Sequence, residues 1–498
     1  MSPRPFFDER LRDEPSAPMS AQVAAVDLGA TSGRVMVADI SDDRFEMRTV
    51  ARFANDPLRL WDGSRDALHW NVPGLYAHVM DGLAAAGRNC ANLIGIGVDS
   101  WAVDYGLLRD GRLLSLPHHY RDTRTDHGVD LVHSKIGPEE LYRRNGLQFL
   151  PFNTVYQLAE EQAHGLLDLA DTVLLIPDLV TYWLTGVLGA ERTNASTTGL
   201  LGLDGAWDGE LMARLGLSRQ LFPDIVEAGT GRGPVLPSVG EQMGCAAEVV
   251  SVASHDTASA VAAIPMDPDH AAYISCGTWG LVGVELPGPV ATEAARAANF
   301  TNEVGFGSRI RFLHNVMGMW LLSETLRQYQ REGHHVELGD LLAQAAHAPG
   351  VDDVFDTDDP RFLTPGDIPT RIRQWYTERG RPAPAGRVHM VRAILESLAA
   401  AFAAAVRTAA ELSGVDVQTV HIVGGGSQNE LLCQLTADRL GVPLLAGPVE
   451  ATALGNLLLT ARAQGLIDGG LAELRERVAR WFPPRRYVPR TKRAAAMV

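Results

Sequence analysis

Lysine is almost absent from this chain of 498 residues, which contains only Lys135 and Lys492. Several kinds of chemistry depend on a lysine: the Walker A loop, the ATP site of protein kinases, and most Schiff-base or pyridoxal enzymes. The sequence therefore excludes these classes unless Lys135 serves in one of them. A phosphate site in this chain must rely on arginine and backbone amides.

Cysteine is also scarce, and its spacing does not indicate a metal site. The four cysteines are Cys90, Cys245, Cys276 and Cys433, and they form no C-x-x-C pair. Neither a structural zinc site nor a disulfide framework is expected, and we predict a reducing, cytoplasmic compartment.

Long apolar runs and basic clusters are missing as well. No uninterrupted apolar stretch approaches the ~20 residues that span a bilayer, and the alanine-rich segment 397–410 is broken by Arg407. The formal net charge is −16, with no run of lysine and arginine, which disfavours binding to nucleic-acid phosphates. We predict neither a membrane nor a nucleic-acid partner. Residues 1–20, in which charges alternate with prolines, are predicted to form a disordered leader.

The sequence does contain an alternation of apolar strands and helical segments in two similar halves. Two apolar runs, 23–27 and 35–40, are joined by a Gly/Ser/Thr turn, which predicts a β-hairpin. The runs 271–275 and 281–284 repeat this pattern. A Rossmann fold would place a helix after the first glycine turn, so a dehydrogenase is disfavoured. We predict an α/β protein of two domains with a ligand cleft between them.

The first hairpin turn, DLGATSGR at 27–34, combines glycine amides, two hydroxyl groups and one guanidinium. Consecutive amides and an arginine can hold phosphate oxygens without a lysine. Asp27 at the strand end can hold Mg²⁺ through water, because hard cations prefer oxygen ligands. The competing interpretation is a tight hairpin with solvated polar residues. The second Gly/Thr hairpin favours phosphate binding, since two facing turns would form a clamp.

The segment Ser254-His255-Asp256-Thr257 lies between an apolar strand and a helix. Folds of the α/β class place reactive groups at the carboxyl ends of strands. A carboxylate there can accept the proton of a substrate hydroxyl during phosphoryl transfer. Position alone leaves a second interpretation open, in which Asp256 or Ser254 caps the helix. His255 is either a substrate contact or a packed, hydrogen-bonded residue.

A third segment, DSWAVD at 99–104, places two acids and an aromatic ring at a strand end. Carboxylates that accept hydroxyl hydrogen bonds, next to a ring that stacks on C–H faces, are typical of sugar sites. The alternative is a partly buried tryptophan with two turn acids. Glycines such as those at 424–426 usually allow close packing at a strand-to-helix turn. The functional interpretation is that they provide a flat surface on which an adenine ring can rest.

Taken in order, these segments resemble the FGGY carbohydrate kinases and, within them, the bacterial rhamnulokinases, from about Val23 to Gly455. The resemblance is carried by VAAVDLGATSGR, GVDSWAVDYGLL, YRDTRT, QFLPFNTVYQL, VASHDTASAV, YISCGTWGL, ANFTNE, NVMGMWLL and HIVGGGSQNELL. It implies an actin-like, ribonuclease H-like fold whose two domains close on sugar and ATP. The sugar and phosphate side would span 21–263, and the nucleotide side 264–498. The implied reaction converts ATP and L-rhamnulose into ADP and L-rhamnulose 1-phosphate, a step of L-rhamnose catabolism.

The resemblance also implies roles for individual residues. Asp256 matches the catalytic base that takes the proton from the C1 hydroxyl, and Asp27 matches the acid that helps to place Mg²⁺. The residues that match sugar contacts are Trp101, Ala102, His255, Thr257 and Asn315. The residues that match ATP contacts are Ala30, Thr31, Ser32, Gly33, Arg34, Thr278, Ser323 and Gly425.

Two positions depart from the pattern of the family. Ala102 stands where the family usually has a glycine that contacts the sugar, and Ser323 stands where a longer glutamine is often found. The first departure leaves the ketose open, with L-fuculose and L-xylulose as alternatives. A non-enzymatic, actin-like ATP-binding protein is an alternative of a different class. The expected partners are the sugar and ATP, and the expected assembly is a monomer or homodimer.

Overall fold

The structure is a computed structural model, and it describes residues 21–41, 44–334, 337–351 and 353–490. Two mixed β-sheets, of six and seven strands, carry helices on their faces. The predicted disordered leader, residues 1–20, and Lys492 lie outside the described residues.

The first half of the chain contains the six-stranded sheet. The strands of this half, six of which form that sheet, are β1 (Gln22–Leu28), β2 (Ser32–Ser41), β3 (Arg44–Ala54), β4 (Leu58–Trp61), β5 (Asp66–His69), β6 (Leu93–Ser100), β7 (Tyr105–Arg109), β8 (Arg112–Leu113), β9 (Thr172–Leu175), β10 (Ala190–Glu191), β11 (Ile225–Val226), β12 (Gly231–Pro234) and β13 (Glu248–Val250). Its helices are α1 (Val72–Asn89), α2 (Thr125–Lys135), α3 (Pro138–Asn145), α4 (Thr154–Ala163), α5 (Ile176–Thr185), α6 (Arg192–Ala195), α7 (Gly209–Leu215), α8 (Pro237–Met243) and α9 (Asp256–Ala262).

The second half contains the seven-stranded sheet. Its strands are β14 (Ala271–Cys276), β15 (Trp279–Leu286), β16 (Thr301–Val304), β17 (Ile310–Met317), β18 (Thr419–Val423), β19 (Leu444–Ala446) and β20 (Arg485–Tyr487). Its helices are α10 (Glu293–Ala297), α11 (Trp320–Arg331), α12 (Leu338–His347), α13 (Ile368–Glu378), α14 (Gly386–Ser413), α15 (Glu430–Leu440), α16 (Ala451–Ala463) and α17 (Leu471–Trp481). Short 3₁₀ turns occur at Arg219–Leu221, Phe306–Ser308, Pro360–Phe362 and Gly425–Gln428.

The two sheets share one topology. The first has the order β12-β13-β6-β1-β2-β3, in which β1 is antiparallel to β2 and parallel to β6. The second has the order β16-β17-β15-β14-β18-β19-β20, in which β14 is antiparallel to β15 and parallel to β18. Both predicted hairpins are therefore confirmed, as is the α/β class. All seven residues of β1 are buried, as expected for a central strand covered on both faces.

The strand before Asp256 is shorter than the sequence predicts. The apolar run 246–253 indicates a strand over its whole length, but β13 pairs only over Glu248–Val250. Beyond it the backbone N–H of Ser251 donates to Thr230, and the carbonyl of Ser254 accepts from the N–H of Ser100, the last residue of β6. The apolar run therefore predicted burial correctly, but continuous strand pairing ends at Val250 and returns only as an isolated bridge between His255 and Ser100.

The helix α14 runs through the core of the second half. It is long and apolar enough to cross a membrane by length and composition alone, but 67% of its most apolar window is buried inside the protein. Phe402 and Leu398 of this helix belong to one apolar cluster with Ile274 and Val282 of the second sheet. It packs as a core helix, as Arg407 within the alanine-rich segment indicated.

Two late helices return to the first sheet. Leu454 and Leu457 of α16 share an apolar cluster with Val23 and Ala25 of β1, and α17 packs there as well. Because α16 lies against both β1 and α9, a helix from the second half of the sequence supports the start of α9, where Asp256 is located.

Candidate active site

A cavity of about 440 Å³ opens between the two sheets. The β1–β2 turn, the residues after β6, the start of α9 and the β14–β15 turn all reach its wall. Predicted site residues that line it are Asp27, Ala30, Thr31, Ser32, Arg34, Trp101, Ala102, His255, Asp256, Thr257, Thr278, Asn315 and Gly425. Residues from distant parts of the chain thus meet around one ligand-sized space.

Two predicted ATP-binding residues do not line this cavity. A Cβ atom added to Gly33 would lie 2.2 Å from the ring of Phe53, so the glycine allows the hairpin to pack under that ring. Ser323 is exposed on α11, where its backbone N–H donates to Met319. Their roles toward ATP stay predictions.

The arginine of the first turn lies between two carboxylates. Arg34 donates from Nε to Asp27 Oδ2 at 2.8 Å, and its Nη2 is 2.6 Å from the same oxygen. Its Nη1 contacts Oε2 of Glu450, the residue before α16. Arg52 on β3 lies 3.6 Å from the other oxygen of Glu450. Neither Arg52 nor Glu450 was predicted from the sequence, since local patterns do not pair residues hundreds of positions apart.

The carboxylate of Asp256 opens into the cavity, with 29% of its side-chain surface accessible. Its Oδ1 accepts hydrogen bonds from the backbone N–H of Thr257 at 2.5 Å and from the Thr257 hydroxyl at 3.1 Å. Burial raises the pKa of Asp256, as does the charge of Asp27, whereas His255 and the bonds from Thr257 act in the opposite direction. A perturbed carboxylate on a cavity wall is suited to accept a proton.

The helix-cap interpretation of this segment is not supported. The cap position of α9 is His255, whose side chain makes no capping bond. The Ser254 hydroxyl instead donates to Glu191 Oε2 at 2.8 Å, and the backbone N–H of Ser254 donates to the same oxygen at 2.9 Å. Glu191 is buried, and it fixes the segment that presents Asp256. No role of Glu191 was predicted from the sequence.

The two acids of the segment 99–104 turn away from the cavity. Asp104 is buried and accepts from the indole N–H groups of Trp70 and Trp101 at 2.6 and 3.0 Å. Asp99 is also buried and accepts from Nδ2 of Asn456 at 2.6 Å. The interpretation that these carboxylates accept sugar hydroxyls is therefore wrong. Asp104 acts instead by holding the Trp101 ring.

An aromatic stack supports Trp101 from behind. The Trp70 ring lies 4.1 Å from the Trp101 ring and 4.0 Å from the His119 ring, measured between centroids. Burial lowers the pKa of His119 to about 3, and Arg121 acts in the same direction while Asp122 opposes it. The folded protein therefore holds this imidazole neutral through the mildly acidic range.

We expect His119→Asn to reduce the acid sensitivity of folding. The unfolded chain binds a proton on His119 below pH ~6.5, and the folded state does so only near 3, so wild-type stability falls by roughly 1.4 kcal/mol per pH unit in between. From pH ~6.5 to ~5 the variant should lose about 2 kcal/mol less stability than the wild type, measured by urea unfolding. Asparagine Oδ1 can still accept from the N–H of Arg121, as His119 Nδ1 does. The control is His347→Asn, an exposed position on α12; equal pH slopes for both variants would contradict the expectation.

Asn315 is oriented from the opposite half of the chain by Gln148. Oε1 of Gln148 accepts from the backbone N–H of Asn315 at 2.8 Å and from its Nδ2 at 2.9 Å. Because Nδ2 is engaged, Oδ1 is the atom of Asn315 that is left to accept from a ligand hydroxyl. The sequence signal for Gln148 is its place in the QFLPFNT motif, for which no role was predicted.

Lys135 takes no part in this site. Its Nζ donates to the carbonyl of Leu215 at 2.6 Å, and it is absent from the cavity wall. Lys135 therefore supplies no lysine-dependent chemistry to this cavity.

The cavity offers oxygen ligands without forming a closed metal cage. Among the described residues, no group of three or more His, Cys, Asp or Glu side chains could hold a metal ion. Carboxylates of Asp27, Asp256 and Glu450 do reach the cavity wall. Mg²⁺ in phosphoryl-transfer sites is held by one or two carboxylates together with substrate phosphates and water. The residues present therefore fit Mg²⁺ that arrives with a nucleotide.

Comparison with known proteins gives matches over both halves. The models of the N-terminal and C-terminal domains of the FGGY family of carbohydrate kinases match residues 22–263 and 272–464. A rhamnulokinase of Pectobacterium carotovorum subsp. carotovorum is 39% identical over 477 residues, 94% of this chain and 93% of that protein. A rhamnulokinase of Bacteroides thetaiotaomicron is 37% identical over 476 residues, 95% of this chain and 96% of that protein.

Solved structures share the fold. Gluconate kinase from Lactobacillus acidophilus has a TM-score of 0.76 at 18% identity, with 94% of each chain covered. Plasmodium falciparum glycerol kinase with ADP has a TM-score of 0.74 at 13% identity, with 95% of this chain and 94% of that chain covered. The two-domain, actin-like organisation implied by the motifs is confirmed.

Proposed function

The chain belongs to the FGGY family of carbohydrate kinases, and we propose that it uses ATP to phosphorylate L-rhamnulose on the C1 hydroxyl. The products would be L-rhamnulose 1-phosphate and ADP. The activity named for relatives at 37–39% identity supports this choice of sugar. The observation that carries the proposal is Asp256, whose carboxylate faces a cavity lined on one side by Trp101 and Asn315 and on the other by the two hairpin turns.

In the proposed mechanism, the chain positions two reactants and removes one proton. Trp101, Asn315 and their supports orient the ketose so that its C1 hydroxyl lies beside Asp256. Asp256 accepts the hydroxyl proton as the oxygen attacks the γ-phosphorus and the bond to ADP breaks. Amides of the two turns and the Arg34 guanidinium hold the phosphate oxygens. Asp27 would help to hold Mg²⁺ that arrives with ATP, and the ion would neutralise further phosphate charge.

We also propose a cellular compartment and a set of ligands for the enzyme. All four cysteines are free, which suits a reducing cytoplasm, where ATP is also available. We propose that the sugar and Mg·ATP are its ligands, without a nucleic-acid or membrane partner. Light scattering of the purified chain tests the expected monomer or homodimer.

The test of the function is ADP release by the purified protein with Mg·ATP and a panel of ketoses. L-rhamnulose should give the largest kcat/KM, ahead of L-fuculose and L-xylulose. A higher kcat/KM for another ketose would still support a sugar kinase, but that ketose would replace L-rhamnulose as the assigned substrate. ATP hydrolysis that no sugar stimulates would overturn the kinase proposal and favour the actin-like binding protein.

We expect Ala102→Gly to relax the choice of sugar. Ala102 lines the cavity next to Trp101, and removal of its methyl group enlarges the sugar side. One methyl-sized contact changes discrimination by about 1–3 kcal/mol. The ratio of kcat/KM for L-rhamnulose to that for L-fuculose should therefore fall by roughly 10-fold or more, while the KM for ATP stays within about twofold. An unchanged ratio would show that Ala102 does not contact the sugar.

A further inference from the structure

A buried ion pair from the second sheet reaches His255, the residue before Asp256. Glu303 on β16 and Arg311 on β17 are directly opposed in the antiparallel register. Arg311 has 0% of its side-chain surface accessible, and its Nη2 lies 3.1 Å from Oε2 of Glu303. The same Nη2 lies 3.0 Å from Nδ1 of His255. The backbone N–H of His255 is held separately by the hydroxyl of Thr193 at 3.2 Å.

This contact determines where the imidazole carries its proton. A guanidinium nitrogen is a donor and has no acceptor capacity, so Nδ1 of His255 must accept from Arg311. A neutral imidazole that accepts at Nδ1 carries its proton on Nε2. Nε2 of His255 lies 3.4 Å from Oδ1 of Asp256. The protonated ring nitrogen is therefore the one that lies beside the Asp256 carboxylate.

A doubly protonated ring fits this arrangement less well. Oε2 of Glu303 lies 3.3 Å from Nδ1 of His255, which on its own would favour a proton on Nδ1. Oε2 accepts no hydrogen bond from the described residues, however, so the ring is not aligned to donate to it, and a proton on Nδ1 would point at the guanidinium 3.0 Å away. Two cationic groups side by side in a buried site disfavour each other. Glu303 therefore balances the charge of Arg311.

We propose that Arg311, oriented by Glu303, is a positioning residue that fixes His255 as the Nε2–H tautomer and directs this N–H at the Asp256 carboxylate. The effect on turnover rests on the proposed function, in which Asp256 is the base. The tautomer of His255 does not depend on that function. Because β16 and β17 belong to the second sheet and Asp256 follows the first, the orientation of the base depends on contact between the two halves. Sugar kinase activity and the packing of the halves are linked at this point.

The direct test is the tautomer of His255 in the wild-type protein. Histidine labelled with ¹⁵N in both ring positions is incorporated, and the resonances of His255 are assigned by their loss in His255→Gln. Near neutral pH, a pyrrole-type signal is expected for Nε2 and a pyridine-type signal for Nδ1. The opposite assignment, or two pyrrole-type signals, would overturn the proposal whatever sugar the enzyme uses.

A pair of double variants tests the effect on turnover. Glu303→Gln with Arg311→Met removes both charges together, which avoids leaving one of them buried and unpaired. The His255 signals should then shift toward a mixture of tautomers, and kcat should fall by roughly 10–100-fold, the scale of a small misplacement in an active site.

The matched control is Glu396→Gln with Arg392→Met. That pair is also largely buried, with 2.8 Å between Nη2 and Oε1, and neither residue lines the cavity. It should leave the His255 signals and kcat unchanged. If the Glu303/Arg311 variant kept the wild-type tautomer, or lost no more activity than the control, the positioning role would be rejected. If no ketose is a substrate, the proposed function is wrong. The ¹⁵N measurement still decides independently whether His255 is the Nε2–H tautomer.

Discussion

Asp256→Asn is expected to lower kcat by a factor of roughly 10²–10⁴, the range typical of a positioned general base. An asparagine amide has nearly the shape of the carboxylate, and its Oδ1 can still accept from the backbone N–H of Thr257, as Asp256 does at 2.5 Å. It cannot take up the hydroxyl proton at the operating pH. The measurement is the initial rate of ADP release at saturating L-rhamnulose and Mg·ATP.

Binding and stability separate this effect from a folding defect. Asp224→Asn is the matched control, since Asp224 is fully exposed, and it should retain wild-type kcat. The affinity of Asp256→Asn for L-rhamnulose and for ADP, measured by calorimetry, should change far less than kcat. A kcat within a few-fold of wild type would remove Asp256 from the role of base.

Features that depend on neighbouring residues could be predicted from the sequence. The hairpin between β1 and β2 was visible because apolar runs flank a turn rich in glycine and hydroxyl residues, and Asp27 pairs with Arg34 in its register. Asp256 was visible because an apolar segment runs directly into a helix. In both cases a few consecutive residues indicate that a strand is buried and that its end is polar.

Features that depend on folding across the chain could not be predicted in this way. Asp104 looks like a sugar ligand in sequence, yet it is buried because Trp70 and Trp101 both donate to it. Glu450 reaches Arg34 only because α16 returns to the first sheet. Arg311 reaches His255 only because the two sheets meet. An acidic residue or an arginine looks the same in the sequence whether its side chain is exposed to solvent, forms a buried structural contact or binds a ligand.

Gly455→Ala should both destabilise the protein and disturb the active site. A Cβ atom at Gly455 would lie 1.9 Å from the carbonyl oxygen and 2.6 Å from the carbonyl carbon of Ser259. Both are backbone atoms of α9, so a side-chain rotation cannot relieve the contact, and α9 must move away from α16. Overpacking of this kind costs about 1–3 kcal/mol. Alanine recovers at most about 1 kcal/mol through its helix propensity, so a net loss is expected.

The displacement should also reduce turnover, because α9 begins with Asp256. A shift of the base by about 1 Å can cost roughly 100-fold in rate, so Gly455→Ala should combine a lower Tm with a strongly reduced kcat, whereas Asp256→Asn should lower kcat alone. The matched control is Gly339→Ala on α12, where nothing lies within 4 Å of the added Cβ; it should keep wild-type activity and have at least wild-type stability. Wild-type Tm and kcat in Gly455→Ala would mean that α9 and α16 can separate freely. The position of the base would then be set by the bonds of Glu191 to Ser254, rather than by the packing of α16.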